Sequence, residues 1–397
     1  MPPLGSSHWS EPAPAAPMGL ARLAKLAFEG ADLTPLRRAL HERCSASRDD
    51  AAALLDLSLI EQLTGNLASG LACQHAALGR TRLFRSPPTA TEPALRLLAL
   101  LAPGDVGTNA PLEFLLEGSN VALDLLYVVP GAPVEEPLPR FDLAIVAAGE
   151  SDANRAVLAE IARLTAHWTV PVLNEPRRIA HLSRARVAAL MQDAPGLYAP
   201  TTRRVPRRTL ENGALNFPII VRPIDSHAGR GLARIVDRAA LEAYLGERGE
   251  ASYFVAPYID YSSADGLFRK YRIAFVGGVP YACHMAISDD WMIYYLNAGM
   301  RESEAKRAEE EQFFATFDSD FAARHRSALA AVSERIGLDY FAIDCGEMPD
   351  GRLLLFEADV AMIVHDMDPR DLFPYKGPQM RKVFAAFTAM LRQRCGR

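Results

Sequence analysis

Three carboxylates follow two short apolar runs near the C-terminal end of the sequence. Asp344 follows the run YFAI, and Glu357 and Asp359 follow the run LLLF after a Pro-Asp-Gly turn. The turn and its flanking runs predict a β-hairpin, and because strand side chains alternate faces, Glu357 and Asp359 project on one face that Asp344 can reach. Carboxylates gathered on an apolar sheet require a compensating cation, and hard oxygen ligands favour magnesium held together with substrate phosphates. A surface hairpin with solvated acids is the alternative that this segment leaves open.

A glycine-rich loop upstream offers a partner for such a metal. In the segment FPIIVRPIDSHAGRGLARI (217–235) a buried strand ends at Arg222, and small residues then lead to Gly229 and Gly231. Glycines permit positive φ and close approach, so backbone N–H groups in this loop can converge on an anion. The segment lacks the pattern GxxxxGK[ST] and is therefore not a P-loop. It predicts either a phosphate cradle or an ordinary hairpin turn.

Composition limits the classes of function. The 397 residues are 49% hydrophobic and 23% charged, which is typical of a globular chain of two or three domains. A formal charge of -5 and a pI near 6.0 argue against nucleic acid or an anionic membrane as the main partner. Five scattered cysteines without metal-ligand spacing indicate reduced thiols in a cytoplasmic protein. Residues 1–17 lack the regions of a signal peptide and are expected to form a disordered leader, and no apolar run is long enough to span a bilayer.

The order of the patterns predicts an α/β protein with three parts. Residues 18–86 carry apolar stripes at helical spacing and predict a helical region resembling one degenerate tetratricopeptide-like hairpin. This region is either a cap on the next domain or a groove for a peptide or protein partner. Residues 94–182 alternate strands and helices, which predicts a parallel sheet. Residues 183–397 follow as the last domain, with a small subdomain at about 200–260 and the acid-bearing subdomain at about 261–397.

One loop of the predicted parallel sheet is a further candidate site. Asp105 lies in the turn-rich stretch that follows the strand at 95–102. Ligands of such sheets bind where the strands end, so Asp105 and its loop are placed at a ligand site. The loop does not fit GxGxxG, which argues against a dinucleotide.

Four motifs follow one another within roughly residues 95–395, namely VRPIDSHAGRG, YFVAPYI, YRIAFVGG and the acidic hairpin. In this order they resemble the ATP-grasp superfamily. Within it the sequence looks most like the glutathione-synthetase and RimK-like ligase branch. The resemblance implies an α+β ATP-grasp fold with a parallel-sheet domain before it, and a reaction that uses ATP and Mg²⁺. It also implies that an acyl phosphate forms on a carboxylate and that an amine then attacks it to give an amide.

The resemblance also implies roles for individual residues. Asp344, Glu357 and Asp359 are implied to bind magnesium, although the third position is commonly Asn in the family. Arg272 is implied to face the transferred phosphoryl group, and Arg222 to contact the phosphates; a salt bridge of these arginines with the same acids is the structural alternative. The implied nucleotide contacts are Arg184, Arg222, Ser226, His227, Gly229, Arg230, Gly231, Phe254, Tyr258 and Ile259.

The function expected is therefore ligation of an amino-acid, peptide or natural-product carboxylate to an amine. The residues leave open two other functions: an ATP-grasp phosphotransferase that forms no amide, and a scaffold whose nucleotide site has decayed. Ala256-Pro257 stands where a hinge glutamate often holds the ribose, which motivates the second of these. A homodimer is also compatible with the sequence.

Overall fold

The computed structural model describes residues 16–87, 92–134, 137–224, 226 and 229–396. Most of the predicted leader, and His227 of the glycine-rich loop, lie outside the described residues. The described chain contains three sheets and the helices that cover them. None of the described helices combines the length and apolar character needed to cross a membrane.

Four helices open the described chain. They are α1 (Leu20–Phe28), α2 (Thr34–Ala46), α3 (Ala51–Leu63) and α4 (Leu67–Leu78). The apolar stripes that predicted them form a small core that includes Leu23, Leu40 and Ile60. The helical region ends earlier than its predicted boundary at residue 86, because the short strand β1 (Leu83–Arg85) already pairs with the next sheet. The helices therefore continue directly into that sheet.

The first sheet is parallel apart from one edge, as the alternating pattern predicts. Its further strands are β2 (Leu95–Leu101), β3 (Val121–Tyr127), β4 (Leu143–Val146) and β5 (Val172–Leu173), in the order β1-β3-β2-β4-β5. Only β1 runs antiparallel. The helices of this part are α5 (Leu112–Leu115), α6 (Arg155–Thr165) and α7 (Pro176–Ile179). The sheet is buried on both faces, which explains why β2 and β4 read as continuous apolar runs.

A connecting segment leads to a small antiparallel sheet. Helix α8 (Arg184–Leu190) begins after Ser183, whose side chain makes no capping bond. After β6 (Leu197–Tyr198), the elements are β7 (Arg203–Pro206), α9 (Arg207–Asn212), β8 (Ile219–Pro223), β9 (Ala233–Ile235), α10 (Arg238–Gly246) and β10 (Ser252–Pro257). Strand order is β7-β10-β8-β9. This subdomain has its own core, which includes Val221, Leu241 and Tyr253.

The third sheet carries the acidic hairpin. Its elements are β11 (Phe268–Val276), β12 (Val279–Ser288), α11 (Glu304–Thr316), α12 (Phe321–Arg324), α13 (Arg326–Ile336), β13 (Tyr340–Glu347), β14 (Leu353–Asp359) and α14 (Lys376–Arg394). Gly277 and Gly278 both have positive φ and form the turn between β11 and β12. The order β12-β11-β13-β14-β6 places β11 and β14 on either side of β13. Basic residues of β11 are thereby set beside the acids of the hairpin.

Candidate active site

The acidic hairpin gathers its three carboxylates on one face. Asp344 on β13 stands directly opposite Glu357 on β14, and Asp359 stands opposite Ala342, two residues from Asp344. Directly opposed residues, and residues two apart on a strand, point to the same side of a sheet. The register confirms the predicted shared face. It also shows that β13 continues through Asp344 rather than ending before it.

Asp344 is fully buried and held by two basic side chains of β11. Arg272 donates from Nε to Oδ1 at 2.8 Å and from Nη2 to Oδ2 at 2.9 Å. Lys270 Nζ lies 2.7 Å from Oδ2. Burial alone would raise the pKa of the Asp344 carboxyl, but the charges of Arg272 and Lys270 hold this pKa well below its ordinary value. Asp344 is therefore a permanent carboxylate.

Glu357 is paired in the same manner with basic residues from two other elements. Arg184, the first residue of α8, donates a hydrogen bond to Oε2, and Arg222 Nη1 lies 4.0 Å from the same oxygen. Burial opposes ionisation of Glu357, and the charges of Arg184 and Arg222 lower its pKa overall. Burial and the neighbouring Arg184 lower the pKa of Arg222 to about 10, which still leaves it cationic at neutral pH. The salt bridges that the sequence left as a structural alternative are thus present at both acids.

These side chains line one cavity of about 620 Å³ between the second and third sheets. Its charged end carries the three acids together with Arg184, Arg222, Lys270 and Arg272. The apolar part of its lining, the apolar slot, includes the predicted Phe254, Tyr258 and Ile259 of β10 and the residues after it. Arg234 stacks on the Tyr258 ring at 3.9 Å. The cavity therefore joins a slot suited to a flat ring to an end rich in cations.

The glycine-rich loop contributes residues to the cavity lining and also supports Arg222. Gly229 and Arg230 line the cavity, whereas Ser226 lies beneath it and accepts a hydrogen bond from Arg222 Nε at 3.2 Å. Gly231 has a φ of 67°, and a Cβ there would come within 2.8 Å of the Pro223 ring, so glycine is required. Arg230 is exposed and makes no ion pair with any side chain in the described ranges.

Sequence reasoning missed one contributor to the cavity. Lys270 stands two residues before Arg272 on β11 and so shares its face; the alternation along KYR was the signal that could have revealed it. Trp291 and Met292 come from the aromatic segment after β12, whose Tyr294 and Asn297 also line the cavity. Asp105, which the strand-end argument singled out, lies at the cavity too.

The donor chemistry at the charged end fits a magnesium ion bound together with a polyphosphate. Such ions use one or two carboxylates and complete their shell with phosphate oxygens and water. The opposed Asp344 and Glu357 supply two carboxylates. Across the described part of the chain, however, no three His, Cys, Asp or Glu side chains come close enough to share a metal ion. The present arrangement therefore does not bring Asp359 into a three-acid centre.

Comparisons with known proteins identify distant likenesses of fold. No protein-family model matches the sequence, and a search of curated proteins finds no match. Among solved structures, the VanG D-Ala:D-Ser ligase from Enterococcus faecalis is similar over 75% of this chain and 99% of its own, with 10% identity and a TM-score of 0.47. A RimK domain ATP-grasp protein from Sphaerobacter thermophilus is similar over 74% of this chain and 99% of its own, with 18% identity and a TM-score of 0.41.

Proposed function

We propose that the protein is an ATP-dependent carboxylate–amine ligase of the ATP-grasp type. The observation that carries this proposal is the opposed pair Asp344 and Glu357, each bound to basic side chains, at one end of a cavity with an apolar slot. Phosphoryl transfer depends mainly on positioning and on neutralising charge, and this cavity offers both. The reaction requires no nucleophilic side chain. The order of motifs in the sequence supports the same class.

The nucleotide would lie along the cavity. Its adenine would fill the slot at Phe254, Tyr258 and Ile259, and its phosphates would meet Arg184 and Arg222. Gly229 and Arg230 would close over the phosphates from the glycine-rich loop, where Arg230 already has its guanidinium free of any described ion pair. Ser226 and Gly231 would support this loop.

Asp344 and Glu357 would hold magnesium, and Asp359, on the same face, would have to move toward them to serve as a third oxygen donor. The ion supplies neutralisation of the charge that develops on the transferred phosphoryl group. For the carboxylates to serve as ligands, Arg272, Lys270 and Arg184 must exchange the acids for phosphate oxygens. Arg272 would stay anchored at the cavity edge during this exchange, because its Nη1 also donates to the Ile363 carbonyl at 3.0 Å.

The reaction proposed has two steps. An oxygen of the substrate carboxylate attacks the γ-phosphorus of ATP, which forms an acyl phosphate and releases ADP. An amine then attacks the carbonyl carbon, an amide bond forms, and inorganic phosphate leaves with loss of a proton from the nitrogen. Arg272 would neutralise the phosphoryl group in both steps.

All five cysteines are free thiols, which supports our placing this activity in the reducing cytoplasm. A net charge of -5 gives no reason to include nucleic acid or a membrane among the partners. A peptide partner for the helical region and a homodimer are not part of this proposal.

The test is ADP release measured with candidate carboxylates and amines, supplied separately and together, with amide products identified by mass spectrometry. We expect sustained ADP release only when both are present. Turnover that never requires an amine would instead support a phosphotransferase. Arg352→Met is the matched control, because it breaks an exposed ion pair with Asp350 in the same hairpin; it should leave turnover unchanged, whereas Glu357→Gln should abolish it.

A further inference from the structure

The loop after β2 presents to the cavity an acid that has no role in the proposed reaction. Asp105, Val106 and Gly107 line the cavity. Asp344 and Glu357 are both neutralised by basic side chains, but Asp105 makes no ion pair with any side chain that the structure describes. Its Oδ1 accepts hydrogen bonds from the Gly107 amide and the Thr108 hydroxyl, both at 3.0 Å. The carboxylate is therefore fixed by one oxygen, while the other has no described partner.

The loop around Asp105 is closed on itself. The Asn109 side chain accepts from the Ala102 amide at 2.7 Å and donates to the Ala102 carbonyl at 2.8 Å. The Thr108 amide donates to the Asp105 carbonyl at 3.0 Å. Gly104 leaves room for this turn, since a Cβ there would come within 2.2 Å of Thr108 Oγ1. Asp105 is thus presented by a preorganised loop.

Helices α3 and α4 fix the loop from behind. The Gln74 amide donates to the Gly104 carbonyl at 2.9 Å and accepts from the Gly104 amide at 2.8 Å. Gln62 Oε1 accepts from the Val106 amide at 2.9 Å, and its Nε2 donates to Ser58 Oγ at 3.1 Å, which sets the orientation of the Gln62 amide. Gln74 is only 6% exposed. Hydrogen bonds of Gln62 and Gln74 therefore join the helical region to the loop that lines the cavity, and both glutamine side-chain amides have described partners.

The far end of the loop reaches the charged end of the cavity. The Gly149 amide donates to the Thr108 carbonyl at 2.9 Å. A Cβ on Gly149 would lie 3.2 Å from Asp359 Oδ1 and 2.9 Å from the Ala361 Cβ, so the backbone here runs close against the end of β14. The loop that carries Asp105 is therefore bonded to the backbone beside the end of β14, and Asp105 and Asp359 line the same cavity.

We propose that Asp105 binds a protonated primary amine of the substrate and that Gln62 and Gln74 are its positioning residues. This inference rests on the proposed function. A cavity-lining carboxylate with one oxygen anchored and the other without a described partner complements an ammonium group, which donates up to three hydrogen bonds. Asp344 and Glu357 are already paired with cations, so Asp105 is a site at which an additional positive charge can be balanced. The amine belongs either to the carboxylate substrate or to the acceptor.

The test uses small probes: alanine carries an amine and a carboxylate, propionate only the carboxylate and ethylamine only the amine, with glutamate and glutarate as a larger pair that differs in the amine. Each is titrated by calorimetry into the full-length protein, with and without Mg²⁺ and a non-hydrolysable ATP analogue. We expect an amine-bearing probe to bind about tenfold or more tightly than its amine-free partner. Alanine binding more tightly than ethylamine assigns the amine to the carboxylate substrate, and ethylamine binding as tightly as alanine assigns it to the acceptor.

Asp105→Asn is the decisive variant, because asparagine keeps the Oδ1 acceptor for Gly107 and Thr108 and so preserves the turn. It should abolish the preference for amine-bearing probes, and Asp350→Asn, an exposed control, should not. Gln74→Met should reduce the preference without changing affinity for the ATP analogue. A preference that survives in Asp105→Asn, or no amine preference in any set, overturns the inference. Failure of the ATP analogue to bind counts against the proposed function instead, and the titrations without nucleotide still decide the role of Asp105.

Discussion

Arg272 and Asp344 form a two-pronged ion pair between neighbouring strands of the third sheet, with both hydrogen bonds shorter than 3 Å. The pair is set by register, since the two residues stand directly opposite each other on β11 and β13. Asp344 is completely buried, so its charge depends on Arg272 and Lys270 for compensation. Asp344 is therefore a structural anchor between the two strands and, in the proposed reaction, a metal ligand.

Replacing Asp344 by Asn should remove activity and also lower stability. Removal of one partner leaves the charges of Arg272 and Lys270 uncompensated, at a cost of roughly 3–5 kcal/mol for a buried pair. Chemical denaturation with circular dichroism measures this cost, and the native spectrum should be retained below the transition.

The double variant Asp344→Asn with Arg272→Met separates the two roles of the pair. It should recover much of the lost stability, because no buried guanidinium is left without a partner, and it should remain inactive. If the single variant keeps wild-type turnover, Asp344 has no part in the chemistry.

Metal and nucleotide should each bind weakly alone and tightly together. The carboxylates are occupied by basic side chains, and the same basic side chains are needed for phosphate, so each ligand frees partners for the other. Reciprocal coupling of this kind is typically on the order of 5- to 150-fold. Mn²⁺ binding followed by electron paramagnetic resonance, with and without a non-hydrolysable ATP analogue, measures it directly.

Arg184→Gln should weaken this coupling. It releases Glu357 from its hydrogen-bonded partner, so Mn²⁺ alone should bind more tightly than to the wild type, while the ATP analogue should bind less tightly. Equal Mn²⁺ affinity in both proteins would show that the ion pair at Glu357 does not compete with metal.

The hydrogen bonds from Gln74 and Gln62 should protect two loop amides from exchange. In the wild type the amides of Gly104 and Val106 are expected to exchange slowly, because each donates to a glutamine side chain. Gln74→Met should accelerate exchange at Gly104, as measured by hydrogen–deuterium exchange, and Gln312→Met on the exposed face of α11 should not. Unchanged protection at Gly104 in Gln74→Met would exclude the proposed support of the loop.

Glu113 should make stability depend on pH. It accepts a hydrogen bond from the Ala21 amide at the start of α1 at 2.7 Å, and burial raises its pKa to about 7 from an ordinary 4.5. An acid whose pKa is raised by folding binds more protons in the folded state than in the unfolded state. Its charge therefore destabilises the folded protein above the folded-state pKa. This penalty disappears as the pH falls toward the pKa of the unfolded state.

The comparison with Glu113→Gln isolates this effect from that of other groups. Between about pH 8 and about pH 5 the wild type should gain on the order of 2 kcal/mol relative to the variant. Denaturant titrations at each pH give the difference. A difference in unfolding free energy that is constant over this range would contradict the raised pKa of Glu113.

Much of the fold follows from local patterns. Continuous apolar runs placed β2, β3 and β4, the Gly-Gly turn placed the β11–β12 hairpin, and the Pro-Asp-Gly turn placed the acidic hairpin. The shared face of Glu357 and Asp359 also followed, because side chains alternate along a strand, whereas the register shift after Asp344 determines which residue stands opposite it. Strand β1 did not, since a three-residue edge strand inside a helical stretch is fixed only by pairing with β3.

The pairing of charges in the site could not be read from the sequence in the same way. That Arg272 would meet Asp344 depends on β11 and β13 being neighbours, and that Arg184 would meet Glu357 depends on where α8 enters relative to β14. Likewise, Gln74 contacts Gly104 only because the helices pack against the first sheet. Such contacts are tertiary, and no local pattern encodes them.

The central claim is that the opposed acids form a magnesium-nucleotide site, and calorimetry tests it most directly. Titration of the full-length protein with a non-hydrolysable ATP analogue should show one site whose affinity requires Mg²⁺ and is lost in Glu357→Gln, while Arg352→Met binds as the wild type does. Absence of binding, or binding that is the same in the presence of a chelator and in Glu357→Gln, would contradict the claim.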